Sequence, residues 1–348
     1  MCRDKLSPGD IGALNGERLL LRNNDHLEVD LDILLSGSVA YDYLMTFPGL
    51  FHEQILPERL QNISLSFLVD KMTRQRGGIA PNIAYTLALL GEKPRLFATV
   101  GEDFVEYRAW LEKFGVDTEF AMIIPGKYTA SFFATTDRVN AQIASFYPGA
   151  MADAAILSLK DVARRPDLVV ISPTDPSAMM KHAAECRELG IPYLYDPSQQ
   201  VLRLEGEEIA RDMDGAHFLF CNDYEFGLIA KKTGMDLNTM LKHVDILVVT
   251  KGAEGAVIYV NGDEVIVPVA PEERIVDPTG VGDAFRGGFL AAYGHGWDWN
   301  LCGQVGSLAA VYVLEQNGTQ NHYYTRQEFV ERFRKHYDDG GKLNQLLD

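Results

Sequence analysis

The nine residues Asp277–Phe285 combine a glycine-rich turn with a carboxylate, in the pattern D-x-T-G-x-G-D-A-F. They stand where a β-rich segment, residues 255–269, gives way to a helix of small residues predicted over 284–293. Gly280 and Gly282 let successive backbone N–H groups converge, and the helix N-terminus behind them adds positive potential, so the turn suits a phosphate. A carboxylate such as Asp283 repels that anion, but it would serve as general base for an attacking hydroxyl. The pattern therefore predicts phosphoryl transfer.

Other interpretations of this turn are weaker. Asp is a common helix N-cap, so the local residues also fit an ordinary capped turn. A dinucleotide fingerprint fails because Phe285 stands where the third glycine is required. Gly126-Lys127 and Gly341-Lys342 lack the upstream glycine and the hydroxyl of a Walker-type phosphate loop.

Two further motifs open predicted helices. Gly77-Gly78 precedes Pro81 and Asn82, where glycine permits close backbone approach and the Asn amide suits neighbouring ribose hydroxyls. Asn222 and Glu225 form N-x-x-E, which suits a hydrated Mg²⁺ but equally an ordinary helix cap.

Two other segments follow predicted strands. The adjacent amides of Gln199 and Gln200 suit the edge of a planar base. Gly252 follows Thr250 in a segment that fits either a simple hairpin turn or a loop beside nucleotide phosphates.

These motifs need a scaffold, and the chain supplies apolar runs of strand length that alternate with helical patterns. This alternation predicts an α/β fold with three layers, a mainly parallel sheet between helices. Ligands on such sheets bind beyond the carboxyl ends of the strands. Predicted strands cover 31–39, 95–100, 168–172, 193–196, 218–221 and 246–250, and predicted helices cover 83–90, 104–114 and 176–189, with another from Tyr224.

Two segments depart from this alternation, approximately residues 41–76 and 127–148. Their alternating, aromatic-containing patterns predict a small β-sheet that forms a lid, and a surface hairpin without a role is the alternative. Residues 1–30 are polar and irregular, which predicts a poorly ordered extension before a main domain over 31–348.

Composition excludes several classes of protein. The chain has 348 residues and a net charge of −17, so a polyanionic nucleic acid is a poor partner. No apolar run reaches the length of a membrane span. The four cysteines show no metal-ligand spacing, and the default interpretation is reduced thiols in the cytoplasm.

Taken together and in this order, the motifs at Gly77–Asn82, Asn222–Glu225 and Asp277–Asp283 resemble those of the ribokinase-like (PfkB-type) carbohydrate and nucleoside kinases. The resemblance covers about residues 31–333. Within the family the chain is most similar to bacterial adenosine kinases, through segments such as Gln142–Met151 and Asp196–Gln200. It departs at Val281, where alanine is common, and that position acts through its N–H group.

The resemblance implies ATP-dependent phosphorylation of the adenosine 5′-hydroxyl, with ATP and Mg²⁺ required. Asp283 would be the general base, and the N–H groups of Gly280, Val281 and Gly282 would stabilise the transferring phosphoryl group. It implies that Phe132 and Phe146 sandwich the adenine. The other implied substrate residues are Ser38, Asp42, Ser66, Gly78, Asn82, Gln199, Gln200 and Arg203. The implied nucleotide residues are Asn222, Thr250, Gly252, Thr279, Gly280 and Gly282, with Glu225 and Asn222 organising Mg²⁺ through water.

Three points stay open at this stage. A sugar kinase of the same family, or a nucleoside-binding regulator without activity, are the alternative functions. A potassium requirement would involve the loop at Asp277 and Thr279. Exposed apolar residues of the lid would suit a homodimer.

Overall fold

Two β-sheets of different size organise the chain. The structure is a computed structural model that describes residues 31–55, 61 and 64–347. The expected extension over 1–30 therefore lies outside the described residues. Across the part described, no helix is long and apolar enough to cross a membrane.

The larger sheet has nine strands in the order β13-β12-β11-β10-β9-β8-β1-β4-β5. Its strands pair in parallel except at β11–β12 and β12–β13, which are antiparallel. Strands β1 and β8 are buried at every position, as expected for Val/Ile/Leu-rich strands covered on both faces. The strands are β1 Ile33–Ser36, β4 Arg95–Val100, β5 Ala121–Ile123, β8 Leu168–Ile171, β9 Tyr193–Tyr195, β10 Ala216–Asn222, β11 Val244–Thr250, β12 Ala256–Val260 and β13 Asp263–Val267.

Helices cover both faces of this sheet. Ile33 and Leu35 belong to one apolar core and Leu34 to another, because successive strand residues point to opposite faces. Helices α2, α3, α8, α9 and α10 contribute to the first core, and α4, α5, α6 and α7 to the second. The helices are α1 Phe51–Gln54, α2 Ile79–Leu89, α3 Val105–Lys113, α4 Pro176–Leu189, α5 Gly206–Met213, α6 Asp223–Thr233, α7 Leu237–Met240, α8 Val281–Gly294, α9 Trp299–Leu314 and α10 Arg326–Arg334.

The smaller sheet has four strands in the order β3-β2-β6-β7. They are β2 Ala40–Thr46, β3 Lys71–Gly77, β6 Ala130–Thr136 and β7 Gln142–Tyr147, so they fall in the two segments predicted as a lid. Strand β7 is exposed at all six positions.

The predicted α/β fold with a mainly parallel sheet is confirmed. The helix predicted over 176–189 has those bounds, and the other predicted elements agree to within a few residues. The largest difference is at α2, which begins at Ile79 and therefore includes Pro81 and Asn82 in its first turn. Pro is well tolerated at that end of a helix because no intrahelical N–H bond is lost.

Candidate active site

Polar residues lie together where the parallel strands end. Ser38, Asp196, Asn222 and Thr250 follow or end β1, β9, β10 and β11, whose carboxyl ends share one edge of the large sheet. The backbone N–H of Ser38 donates to the carbonyl of Pro173 at 2.8 Å, which joins the chain after β1 to the chain after β8. This edge is the expected place for a ligand in an open α/β sheet.

The glycine-rich turn forms the N-terminus of α8. Gly280 is the N-cap and has a left-handed backbone with φ of 80°. A Cβ there would lie 2.7 Å from Cγ2 of Thr319, so the position requires glycine for both conformation and space. The N–H groups of Gly282 and Asp283 belong to the first helical turn, where no intrahelical acceptor exists. The N–H of Val281 makes a long bond of 3.4 Å to the carbonyl of Pro278. The turn can therefore donate to an anion.

Asp277 holds this turn to a neighbouring segment. Its carboxylate accepts from the N–H of Thr279 at 2.9 Å and from the N–H of Gly318 at 3.1 Å. Burial raises the pKa of Asp277, but these bonds outweigh it and the net pKa is below its usual value. Thr279 is exposed. The structure thus gives Asp277 a turn-stabilising role, and its part in a potassium site stays a prediction.

Asp283 lies at the start of α8 with its carboxylate oriented by a neighbour. The side-chain amide Nδ2 of Asn82 donates to its Oδ2 at 2.8 Å. Burial raises the pKa of Asp283, Arg286 and the Asn82 hydrogen bond lower it, and Glu225 raises it, with a net value of about 6. A carboxylate with this pKa is mostly ionised at neutral pH and yet basic enough to accept a proton.

Asn82 is itself fixed from the other side. The amide of Gln320 donates from Nε2 to Asn82 Oδ1 at 2.9 Å and also bonds the hydroxyl of Tyr107. Both ends of the Asn82 amide are therefore bonded within the protein, and its visible role is to orient Asp283. The contact with ribose hydroxyls expected for Asn82 would use its remaining N–H. Sequence reasoning gave Gln320 no site role, since nothing in its neighbours indicates that it reaches α2.

A buried ion pair supports the turn from below. The guanidinium of Arg286 places Nη2 2.8 Å from Oδ1 and Nε 2.6 Å from Oδ2 of Asp196, and both residues are buried. A Cβ on Gly282 would lie 2.8 Å from Nη1 of Arg286, so the cation lies directly against the glycine turn. Burial raises the pKa of Asp196, which Arg286 lowers and Glu225 raises, to about 7.

Arg286 was missed at the sequence level. The available signal was a single charged residue in a helix of small and apolar residues, three positions after Asp283. Positions three apart lie on the same face of a helix, so the charge had to point toward the site.

A second glycine pair brings β1, β3 and α2 together. Gly78 has φ of 96°, and a Cβ there would lie 2.5 Å from the carbonyl oxygen of Ser38. A Cβ on Gly77 would lie 2.6 Å from Oδ2 of Asp42. The hydroxyl of Ser38 accepts from the N–H of Ile79 at 3.3 Å. The two glycines therefore permit a close approach between the chain after β1 and the start of α2.

Asp42 lies inside β2 of the small sheet. Burial raises the pKa of its carboxyl, and nearby Asp277 raises it further, to about 6. Across the described residues its carboxylate accepts no hydrogen bond. A partly desolvated carboxylate of this kind is suited to accept from the hydroxyls of a sugar.

The sandwich predicted for Phe132 and Phe146 does not fit the strand register. The two residues are direct partners across β6 and β7, and Phe132 is also the partner of Asp42 across β2. Direct cross-strand partners point to the same face with Cβ atoms about 4.5–5.5 Å apart. The rings therefore belong to one face of the sheet, in line with Asp42, instead of forming opposite walls. Phe146 is 52% exposed, so this face is open.

The remaining predicted substrate residues differ in their exposure to solvent. Ser66, Gln199 and Arg203 are exposed. Gln200 is buried and its Nε2 donates to the carbonyl of Thr174 at 2.6 Å, so half of its amide is occupied within the protein. The structure does not bring Ser66 or Arg203 into contact with the groups around Asp283.

Asn222 and Glu225 form the helix cap that was the alternative interpretation. Asn222 Oδ1 accepts from the N–H of Glu225 at 2.7 Å, and Glu225 Oε2 accepts from the N–H of Asn222 at 2.8 Å. Glu225 Oε1 has only a long contact of 3.4 Å with the hydroxyl of Ser198. This oxygen is available to a water of a hydrated Mg²⁺, whereas Asn222 Oδ1 is occupied.

The nucleotide side of the site is otherwise open. Gly252, after Thr250, has φ of 56° and open space around its Cβ position. No group of three or more His, Cys, Asp or Glu side chains in residues 31–55, 61 and 64–347 could hold a metal by itself. A Mg²⁺ ion that keeps most of its waters needs only one or two carboxylates, and Glu225 offers one.

The chain matches kinases of one family over most of its length. The family model for pfkB family carbohydrate kinases matches residues 38–326. A nucleoside kinase from Methanothermobacter thermautotrophicus is 32% identical over 310 residues, 87% of this chain and 96% of that protein. An adenosine kinase from Dictyostelium discoideum is 27% identical over 43% of this chain and 48% of its own length.

Solved structures of a Burkholderia thailandensis nucleoside kinase are similar throughout. Its complex with inosine is 36% identical with a TM-score of 0.77, and covers 87% of this chain and 97% of that one. Its complex with ADP-inosine is 37% identical with a TM-score of 0.76, and covers 88% and 96%. The predicted ribokinase-like fold is thereby confirmed. The chain belongs to the pfkB family of carbohydrate kinases.

Proposed function

We propose that this protein transfers the γ-phosphoryl group of ATP to the 5′-hydroxyl of a purine nucleoside, with adenosine as the first candidate substrate. The observation that carries the proposal is the pairing of Asp283 with Asn82 at the N-terminus of α8, directly after the left-handed Gly280. The similarity to nucleoside kinases supports a nucleoside substrate, and the neighbour in complex with inosine supports a purine base.

The chain's own groups divide the work. Asp283, oriented by Asn82, takes the proton from the 5′-hydroxyl as the oxygen attacks phosphorus. The N–H groups of Gly280, Val281 and Gly282 donate to phosphoryl oxygens, where negative charge develops in the transition state. Asp42 accepts from the ribose hydroxyls, and Ser38 and the backbone of Gly78 line that end of the pocket. Positioning and electrostatic stabilisation supply most of the catalysis.

The small sheet serves as the cover of the substrate. Phe132 and Phe146 offer one aromatic face on which a base stacks, with Gln199 and Gln200 toward its edge. Closure of this sheet over the base excludes water that would hydrolyse ATP. Its exposed apolar residues also suit a homodimer.

Mg²⁺ fits the donors that remain. When bound, Mg²⁺ would neutralise charge on the ATP phosphates. Glu225 would hold a water of this ion through Oε1, while Asn222 keeps α6 capped so that Glu225 stays in place. Thr250, Gly252 and Thr279 border the nucleotide. Potassium at the Asp277 loop and location in the cytoplasm stay predictions.

One assay separates this function from its alternatives. Purified protein is incubated with Mg²⁺·ATP and, in turn, adenosine, inosine, ribose and fructose, and ADP release is measured with a coupled enzyme; Asp283→Asn provides the blank. ADP release that depends on a nucleoside supports the proposal. Release with ribose or fructose alone identifies a sugar kinase. Adenosine binding without release identifies a nucleoside-binding regulator.

A further inference from the structure

A cavity lies at the opposite end of α2 from Gly78. Its volume is about 730 Å³, within the ~300–1,000 Å³ of typical small-molecule sites. None of the residues proposed above for catalysis or binding lines it. Its walls come from the end of α2, from α3 and from the segment that leads into α10; the residues used below are Tyr85, Trp110, Lys113, Phe114, Gln320, His322, Tyr323, Tyr324 and Arg326.

Aromatic rings form one wall of this cavity. The rings of Tyr85 and Trp110 lie nearly parallel with centroids 6.0 Å apart. Phe114 packs edge-on against Tyr85, with centroids 4.9 Å apart. Tyr323 is 63% exposed at the same cavity. Tyr323 is therefore the exposed ring of this wall, and a flat ring can bind to it by stacking.

The charges around the cavity are positive, although the chain carries a net charge of −17. Lys113 and Arg326 line it, and neither has an ion pair within the described residues. The guanidinium of Arg76 lies 4.0 Å from the ring centroid of Trp110 and likewise has no acidic partner in the described part of the chain. Every lining residue is neutral or basic. The local potential therefore favours an anion.

The neighbouring cavity provides an internal contrast. It has a volume of about 590 Å³ and shares Tyr323 and Tyr324 with the first. Its other lining residues include four glutamates, Glu272, Glu273, Glu328 and Glu331. The two cavities thus differ in charge across a shared pair of tyrosines, and only the first suits an anionic ligand.

Several buried polar atoms of the first cavity's lining residues have no hydrogen-bond partner within the described residues. They are Trp110 Nε1, both ring nitrogens of His322, the hydroxyl of Tyr324 and Gln320 Oε1. Burial lowers the pKa of His322 to about 4, so the ring is neutral, with one donor and one acceptor nitrogen. The lining residues that carry these atoms include both donors and acceptors, which the mixed polar edge of a nucleobase requires. Buried groups of this kind are costly unless something pairs with them.

We propose that this cavity binds a nucleoside monophosphate, with the base against Tyr323 and the phosphate on Lys113 and Arg326. If the proposed function holds, such a molecule is the product of the reaction, so the site would sense product. The binding site itself does not depend on that function, because it rests on the shape, charge and polar atoms of the cavity.

The same segment connects the cavity to the catalytic base. Gln320 lines the cavity and donates to Asn82 at 2.9 Å, and Asn82 donates to Asp283 at 2.8 Å. A ligand that draws the Gln320 amide toward the cavity weakens the hold on Asn82 and misorients Asp283. Occupancy therefore lowers kcat.

The test is equilibrium dialysis with radiolabelled AMP, compared between matched variants. Wild type is expected to bind two molecules per chain, one at the substrate site and one in this cavity. Lys113→Glu is expected to weaken the second binding about 10-fold or more, because it places a negative charge beside the phosphate. Lys335→Glu, the same reversal of an exposed lysine in the acidic cavity, keeps both. Tyr323→Ala is expected to weaken the second binding by about 5- to 150-fold.

Kinetics give the second arm. AMP is expected to lower kcat of wild type, whereas in Lys113→Glu it competes with nucleoside alone. Equal numbers of AMP molecules bound by wild type and by Lys113→Glu, with unchanged affinity, overturn the site. An AMP molecule that Lys113→Glu loses, in a protein that phosphorylates no nucleoside, keeps the site and rejects the proposed function. Two equivalents with no effect of AMP on kcat reject the coupling through Gln320.

Discussion

The two sheets of this protein differ in how deeply their strands are buried. Strands β1 and β8 of the large sheet are buried at every position, while β7 of the small sheet is exposed at all six. Helices cover both faces of the first, whereas Phe146 leaves the small sheet open on the face it shares with Asp42. Under the proposed function, this difference means that the catalytic groups stand on a preformed scaffold, whereas the small sheet completes its contacts only with a ligand. Changes on the large sheet should alter kcat and stability, and changes on the small sheet should alter KM.

Asp283→Asn is expected to have the largest effect, and it tests whether the groups beside the large sheet determine kcat. The amide keeps the shape of the side chain but cannot accept the proton, so kcat should fall by about 10²- to 10⁴-fold while the fold is retained. Steady-state rates and circular dichroism measure the two effects. A near-normal kcat in a folded variant would remove Asp283 from the role of base.

Stability provides the next contrast. Leu290 on α8 is fully buried, and Leu290→Ala should lower the free energy of unfolding by about 2–5 kcal/mol through cavity formation. Ile143 on β7 is 42% exposed, and Ile143→Ala should cost less than about 1 kcal/mol. Urea unfolding of both variants compares them directly. Equal costs would mean that the small sheet is as tightly packed as the large one.

Loss of one ring tests which face of the small sheet meets the base. Phe146→Ala should raise the KM for nucleoside by about 5- to 150-fold with little change in kcat, by analogy with base stacking worth about 1–3 kcal/mol. Phe133 follows Phe132 in β6 and therefore points to the opposite face of the sheet, where its ring stacks on Tyr43 with centroids 4.8 Å apart. Phe133→Ala is therefore the matched control. A larger effect of Phe133→Ala on KM would assign the base to the other face.

The sequence predicted the scaffold well because its signals are local. Buried strands alternate with helices, and the helix over 176–189 has an Asp cap, Pro in its first turn and Gly190 at its end. The glycine turn before Asp283 was visible for the same reason. The relation of Phe132 to Phe146 could not be predicted from the sequence. Two aromatic residues in separate strands can form a sandwich or lie on one face, and only the strand register decides between these arrangements.

Other site contacts depend on long-range packing. Gln320 reaches Asn82 across 238 residues, and Arg286 pairs with Asp196 across 90. No local pattern specifies such partners. The unexpected charge of Arg286 in an apolar helix indicated a buried partner, but it could not indicate which one.

The smallest predicted effect concerns pH, and it tests whether Arg286 acts on the base. Asp283 must be ionised to accept a proton, and its pKa is about 6, so kcat/KM should fall as the pH drops below about 6. Asp42 titrates in the same range and must also be ionised to hold ribose, so the fall should involve two protons. Arg286 lowers the pKa of Asp283, and Arg286→Met should therefore move one of the two steps to higher pH.

Glu225→Gln supplies the opposite sign in the same profile. Glu225 raises the pKa of Asp283, so its neutral replacement should move that step to lower pH, while the amide oxygen keeps the capping contact with Asn222. Both variants are also expected to lose some kcat, because Arg286 is buried against the turn and Glu225 is proposed to hold a water of Mg²⁺. The pH at which kcat/KM falls reports the effect of charge, and it is independent of the loss of kcat. If the fall in kcat/KM moves in the same direction in both variants, or does not move, the cluster around Arg286 stabilises the shape of the turn without changing the pKa of Asp283.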